Sequence, residues 1–428
     1  MRSIWIVGAL CLLATWFFAH LYQGLLTAYE QSGTLTEMEY SWFFRLLLNL
    51  AGYSTILLPG FILYKYVDRS NYFDKINGSG CLSQVLLSCF GEPTERLPES
   101  TKPTKVVETS ARAEGAELAF CFTGLMGTYL VWGLLQEKIM TQNYVMSDGS
   151  LVKFNDSQFL VFINRLLAFS IALGRLLCAR KPFVAAPLYK FSYCSLTNII
   201  SAWCQYEALK YVSFPTQVLS KSCKVIPVML MGKLVSRNKY ELYEYVTAVL
   251  ISAGMALFMF GSRDDYSEST MTTMSGVTLL ALYMVCDSFT SSWQGALFTQ
   301  YSCDPMQMLC GVNLFSCLLT AAALVHHSST ATSIQLLQHP VFATDCLLLS
   351  LSSAVGQLII YRTIAKFGAV VFTIIMTLRQ AVSILLSCLV YGHNVSVGGA
   401  FGVLLVFGAV LLRVYCRQRL RRRRPADI

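Results

Sequence analysis

Apolar residues run through this chain in blocks of about 18 to 25 residues, separated by short polar connections. That length crosses a bilayer as an α-helix. The first block runs from Ile4 to about Leu26, behind Arg2 and ahead of Glu30, Glu37 and Glu39. Its apolar stretch suits a signal peptide. With no clean small-x-small cleavage site, it is read as a retained span. A second span covers Ser41 to Val67. A polar stretch follows over 68–114, holding GEPTERLPESTKPTKVVETS, and it reads as a flexible linker rich in Pro, Glu, Thr, Lys and Ser. Beyond it, ten blocks centre on 117–138, 157–179, 190–210, 214–235, 241–260, 274–298, 306–326, 343–364, 368–391 and 396–416.

The pattern predicts an all-α polytopic membrane protein. Residues 1–67 form the N-terminal segment and extra helix, 68–114 a cytosolic linker, 115–416 a ten-helix core, and 417–428 a basic cytosolic tail. Composition agrees: 55% of residues are hydrophobic and 13% charged, against about 25% charged in soluble domains. The net charge of +9 resides largely in the C-terminal RVYCRQRLRRRRPADI, which carries Arg413, Arg417, Arg419 and Arg421 to Arg424. Beside phospholipid headgroups such a run is a cytosolic stop signal and not a nucleic-acid surface. Placing it in the cytosol sets the other loops by alternation. Arg180 and Lys181, Arg237 and Lys239, and Lys366 then fall on the cytosolic side, as does the linker.

The fifteen cysteines include no C-x-x-C pair. Cys303, Cys310 and Cys317 recur every seven residues, the spacing of one packed helix face. The five histidines lack zinc-ligand spacing, and no phosphate loop or nucleophile elbow is present. Neither metal nor cofactor is expected. A membrane enzyme would need a catalytic histidine or paired carboxylates at one interface, and a channel would need rings of charge. The pattern shows neither.

What it does show is cations where lipid should exclude them. Counted from Pro215, Lys221 and Lys224 lie about 9 and 13 Å into a helix; counted from Gly368, Arg379 lies about 16 Å in. An uncompensated cation at such depth costs about 3 kcal/mol or more, so these groups should face a polar cavity or a partner. Gln217, Lys221 and Lys224 follow i, i+4, i+7 and would share one helix face. Two ammonium groups there repel unless an anion lies between them. Arg379 has the planar fork that binds two oxygens of a phosphate or sulfate, though it can instead pair with Asp287, itself near mid-span. Asp287 can also set the charge of the empty site. Arg165, Glu137 and Glu207 lie nearer span ends, as ligands, charge partners or gates. Tyr206, Trp203 and Tyr129 are candidates to stack on a base. Gly124, Gly127 and Gly133 are expected at close helix contacts.

A shift of 156 residues lays ALKYVSFPTQVLSKSCK, from Ala208, over IAKFGAVVFTIIMTLRQ, from Ile364. The offset spans five helices, an odd number, so the two halves would insert upside down relative to each other. Inverted repeats of this kind are a transporter architecture.

The stretches QYEALKYVSFPTQVLSKSCKVIPVMLMGKLVSR, DSFTSSWQ and FTIIMTLRQ resemble the signatures of the nucleotide-sugar transporter family, within the drug/metabolite transporter superfamily. KVIPVMLMGKLVSR together with FTIIMTLRQ is most similar to its Golgi branch that carries the activated sulfate donor 3′-phosphoadenosine 5′-phosphosulfate. The resemblance runs from about Ser41 to Arg413 and departs at Val225, where relatives carry proline. It implies ten core helices in two inverted five-helix repeats. It also implies Golgi residence and exchange of the donor for a nucleotide counter-substrate, with substrate ligation by Lys221, Lys224 and Arg379. A transporter of a nucleotide sugar or an adenine nucleotide with the same fold stays open, as does monomer or homodimer.

Overall fold

The structure is a computed structural model. It describes residues 2–31, 41–70, 81–91, 111–141, 143–145, 151–154, 157–182, 185–208, 211–212, 220–221, 223–237, 239–261, 274–325, 330–391 and 397–423. Its helices are α1 (Arg2–Gln31), α2 (Ser41–Arg69), α3 (Cys81–Phe90), α4 (Ala111–Thr141), α5 (Ser157–Cys178), α6 (Tyr189–Ala208), α7 (Val225–Ser236), α8 (Leu242–Gly261), α9 (Met274–Tyr301), α10 (Pro305–Val325), α11 (Thr330–Leu337), α12 (Pro340–Phe367), α13 (Ala369–Tyr391) and α14 (Val397–Arg423). One antiparallel hairpin, β1 (Asn143–Val145) with β2 (Leu151–Lys153), pairs Tyr144 with Val152.

Among the described residues seven helical stretches are long and apolar enough to cross a membrane: Trp42–Arg69, Ala113–Gln136, Phe159–Cys178, Met274–Tyr301, Pro305–Ala322, Pro340–Phe367 and Gly398–Cys416. Val225–Val235, Leu242–Leu257 and Ala369–Val382 are shorter apolar helices. A helix satisfies every backbone N–H and C=O within its own segment, which hydrocarbon requires. The outward faces are apolar: Leu134, Leu234, Leu404 and Leu411 are each more than half exposed. In water that surface would be a large unfavourable patch; in lipid it is the ordinary boundary. The chain is a multi-pass membrane protein.

Three elements went unforeseen. Helix α3 lies inside the stretch read as a flexible linker. Its Leu86 is buried against Val67 of α2, and the Leu188 N–H donates to the Ser88 carbonyl at 3.2 Å. Burying Leu86, with Phe90 packed beside it, is enough to dock so short a helix. The hairpin and α11 fall in connections too short for a membrane-length pattern to register.

The chain forms two compact units. The first comprises Met1–Glu117, Gly127–Leu196 and Tyr301–Ile359. In it α5 packs on α10 and α1 on α2. Gly311 of α10 meets the Phe191 ring, where an added Cβ would come within 2.8 Å. The Ser195 hydroxyl donates to the Val312 carbonyl at 2.7 Å, and that of Ser350 to Asn164 Oδ1 at 2.6 Å. Tyr144 of the hairpin is buried edge-on against Phe342. Cys303, Cys310 and Cys317 are all buried in this unit, and each is a free thiol.

The second unit comprises Leu118–Met126, Thr197–Gln300 and Ile360–Ile428. Here α8 packs closely on α14, and α7 packs on α13. The closest approach is at Gly254, where an added Cβ would lie 2.8 Å from Val406 Cγ2 and 2.9 Å from the Gly402 carbonyl. Gly127 and Gly133, expected at close contacts, have open space around them; Gly254, Gly276 and Gly311 take that role. Val225, Val228 and Met229 of α7 join Ile251 of α8 and Ile374 of α13 in one core. Gly368 links α12 to α13 at φ 86°. That left-handed conformation is open to glycine, and it turns the chain into the helix that carries Arg379.

Candidate functional site

The two lysines are not on an uninterrupted helix. Among the described residues, 220–221 are helical, Cys223 and Lys224 form a turn, and α7 begins at Val225. Lys224 is the residue that caps α7, at φ −60° and ψ −20°, with no side-chain capping bond. Pro227 explains where the helix starts. It occupies the first turn, where its missing N–H has no intrahelical acceptor to forfeit. Deeper in a helix that began at Pro215, it would have broken the ladder. The expectation of one continuous helix through Gln217, Lys221 and Lys224 is therefore corrected at Lys224, while the two lysines remain within electrostatic reach of each other; Gln217 lies outside the described residues.

The break has an electrostatic consequence. A helix N-terminus carries about half a positive charge, so a lysine there is unfavourable without an anion. Asp287 of α9 supplies one: its carboxylate forms an ion pair with the Lys224 ammonium. The Lys224 and Asp287 side chains are 14% and 23% exposed. Asp287 thus pairs with Lys224, a partner the sequence had not suggested. Lys221 lies within the electrostatic reach of both Lys224 and Arg379. Lys224 holds the carboxylate, Lys221 neighbours Lys224, and Arg379 neighbours Lys221, all in the second unit.

The surroundings of Asp287 are unusually polar for a membrane helix. Ser288, Thr290, Ser291, Ser292 and Gln294 of α9 are all buried. The Thr290 and Thr197 hydroxyls bond at 2.7 Å, joining α9 to α6. The Ser292 hydroxyl donates to the Val228 carbonyl at 3.4 Å, joining α9 to α7. These are the residues of the DSFTSSWQ stretch, and they hold α9 so that Asp287 meets Lys224.

The other expected residues disperse. Arg165 of α5 belongs to the first unit, where Nη1 lies 3.5 Å from Asn313 Oδ1, and Asn313 Nδ2 donates to Gln357 Oε1 at 3.0 Å. Glu207, expected at a rim or gate, is 6% exposed near the end of α6. The side chains of Glu137 and Tyr206 lie outside the described residues. Ion pairs among the described residues that the sequence had not suggested include Lys181 with Asp304 at 2.5 Å on the surface and two that are more buried. Lys138 reaches buried Asp345 at 2.9 Å in the first unit. In the second, Arg413 reaches Glu244 at 3.0 Å. Arg413 had been counted with the basic tail, yet it is 8% exposed; its place before the arginine run, inside LLRVY, was the available signal.

A buried cation cluster with one resident carboxylate can accept an anion by exchanging partners. Comparison with known proteins points the same way. The chain is 52% identical to the adenosine 3′-phospho 5′-phosphosulfate transporter 1 of Drosophila melanogaster, across 96% of this chain and 92% of that one. It is 50% identical to the Homo sapiens protein of that name, across 89% of each. It is 38% identical to the UDP-galactose/UDP-glucose transporter 5B of Arabidopsis thaliana, across 68% of this chain and 86% of that one. All three are named as transporters and not as enzymes. Residues 117–417 match the profile of the UAA transporter family, and with the relatives spanning nearly its whole length this chain belongs to that family.

Proposed function

We propose that the protein is an antiporter that carries 3′-phosphoadenosine 5′-phosphosulfate from the cytosol into the Golgi lumen, in exchange for a nucleotide counter-substrate. The observation that carries this reading is the Lys224–Asp287 ion pair, with Lys221 beside Lys224 and Arg379 in reach of Lys221. The donor bears about four negative charges at neutral pH: about −1.5 to −2 on the 3′-phosphomonoester and about −1 each on the 5′-phosphate and the sulfate joined to it. Three cations facing one carboxylate come close to balancing it once the carboxylate is displaced. A nucleotide sugar, lacking the 3′-phosphate and the sulfate, needs fewer. Relatives at 50% identity or more carry the sulfate donor in their names.

The cycle follows from the charges. In the empty protein Asp287 occupies the Lys224 ammonium. The incoming anion takes its place, with Lys221 and Arg379 closing on the remaining oxygens. Release restores the ion pair. The carboxylate offsets one of the three cations when no anion is bound, which lowers the cost of charge inside the membrane.

The finer architecture belongs to the same proposal. Ten core helices, α4 to α10 and α12 to α14, arise as two inverted repeats, α4–α8 and α9–α14, with α7 the counterpart of α13. Helices occupy all ten predicted stretches, and α7 packs on α13. Residues 115–416 form the core; 68–114, with α3, and the tail 417–428 face the cytosol. Support for that orientation comes from the turn after α7, the junction of α12 with α13 and Arg413 of α14, which all border one cavity. Alternation assigns each of them to the same side.

The test is uptake of radiolabelled sulfate donor into liposomes that hold the purified protein and are preloaded with adenosine 3′,5′-bisphosphate. Uptake that requires the internal bisphosphate and resists excess UDP-galactose is expected. Strong competition by uridine or guanosine sugars, with none by the bisphosphate, would refute the sulfate-donor reading and favour the nucleotide-sugar alternative represented by the Arabidopsis relative.

A further inference from the structure

The second unit holds a cavity of about 620 Å³, and the Arg413–Glu244 ion pair forms part of its lining. Tyr240, Phe298 and Phe367 present aromatic rings to it. Gly368, in its left-handed conformation, brings the first turn of α13 (Ala369, Val370 and Val371) to the wall. Ser292 marks the inner limit. Its hydroxyl bonds the Val228 carbonyl, and the Val228 N–H donates to the Lys224 carbonyl at 3.1 Å. The Lys224–Asp287 pair thus begins one helical turn past the cavity wall. Along α14 in the other direction, Arg413 is followed by Arg417, Arg419 and Arg421.

Two cation–carboxylate pairs therefore lie in sequence within one unit. Glu244 also accepts the Glu241 N–H at 3.2 Å and so caps the start of α8, a contact that glutamine can keep. But a buried pair is seldom a net gain over apolar packing, so fold stability gives little reason for Arg413 inside an apolar helix contact. A guanidinium fork accepts phosphate or sulfate oxygens as readily as a carboxylate. The cavity falls in the size range of sites for small molecules and cofactors, and its rings suit a base. We propose that this cavity is an outer binding site for an anionic nucleotide, in which Arg413 exchanges Glu244 for a phosphate or sulfate oxygen before the ligand passes to Lys224. The inference rests on the exchange reading above and adds a first stop to it.

Initial rates of uptake of labelled 3′-phosphoadenosine 5′-phosphosulfate test it, with the full chain in bisphosphate-loaded liposomes. Arg413→Gln is expected to raise the half-saturating concentration about tenfold, the effect of losing one charged hydrogen bond. Glu244→Gln removes the competing carboxylate and is expected to lower it about threefold or more. Arg413→Lys should fall between wild type and Arg413→Gln. The opposite signs are the signature, and Glu244→Gln, which keeps shape, preserves the test should Arg413→Gln fail to fold. A pair that merely ties α8 to α14 predicts lower melting temperature and maximal rate in both variants, with half-saturation unmoved; that result, or shifts of the same sign, overturns the outer site. Active wild-type uptake accompanied by that result removes only this inference. Absent wild-type uptake removes the exchange reading, and the outer site with it.

Discussion

Asp287→Asn isolates the charge exchange at the core of the proposed cycle, because asparagine keeps the shape and removes only the charge. In the empty protein Lys224 would then face Lys221, Arg379 and the positive end of α7 with no carboxylate. Both members of the pair are mostly buried, at 14% and 23% exposure, so solvent cannot replace the lost partner fully. Breaking a buried pair costs about 3–5 kcal/mol; the residual exposure places this one at about 3 kcal/mol. A bound anion restores the missing charge. If it recovers half of that cost, about 1.5 kcal/mol, affinity rises about tenfold. The empty variant should therefore melt below wild type, and saturating adenosine 3′,5′-bisphosphate should raise its melting temperature more than it raises that of wild type. Exchange should slow, because release now leaves an uncompensated site. Thermal unfolding of the purified protein with and without the bisphosphate, beside uptake at saturating donor, measures all three. An Asp287→Asn protein with wild-type melting temperature and wild-type ligand shift would refute the placeholder role of Asp287.

Other substitutions separate the cations. Lys224→Ala should lose more uptake than Lys221→Ala, since Lys224 holds the ion pair, and Lys224→Arg should keep part of it; wild-type uptake by Lys224→Ala at normal expression would exclude this residue from the site. Arg379→Ala should weaken donor binding at least about tenfold, given the usual cost of truncating a buried charged hydrogen bond of about 2–5 kcal/mol. Competition by an adenine nucleotide lacking the 3′-phosphate then tells which end Arg379 reads, because only a 5′-end contact weakens both ligands. Gly254→Val should overpack α8 against α14, at about 1–3 kcal/mol, and lower the yield of folded protein in detergent; an unchanged melting temperature would contradict the close contact with Val406 and Gly402. Protease added to sealed Golgi vesicles should cut both the 68–114 stretch and the C-terminal tail, and protection of just one would contradict an even number of core helices.

The chain by itself determined the class of the protein and most of its helices. Block length and apolarity are local properties, and lipid leaves no alternative to a helix for such blocks; seven helices of spanning length follow among the described residues. The same energetic argument singled out Lys221, Lys224, Arg379 and Asp287, because a charge inside an apolar block is conspicuous without knowledge of its partner. Partners are another matter. Asp287 could face Arg379 or Lys224 at equal cost, and only the packing of α9 against α7, through Ser292 and the Val228 carbonyl, brings it to Lys224. The break at Lys224 needed the register of Pro227 in a first turn, which periodicity does not see. Arg413 looked like part of the tail because charge runs are read by proximity in sequence, while burial depends on α8, some 170 residues earlier (its partner Glu244 is separated by 169 positions). Hairpin β1–β2 and α3 escaped for the opposite reason: they are too short for any pattern, and they persist because Tyr144 finds a buried site on α12, distant in the chain, and Leu86 one on the neighbouring α2.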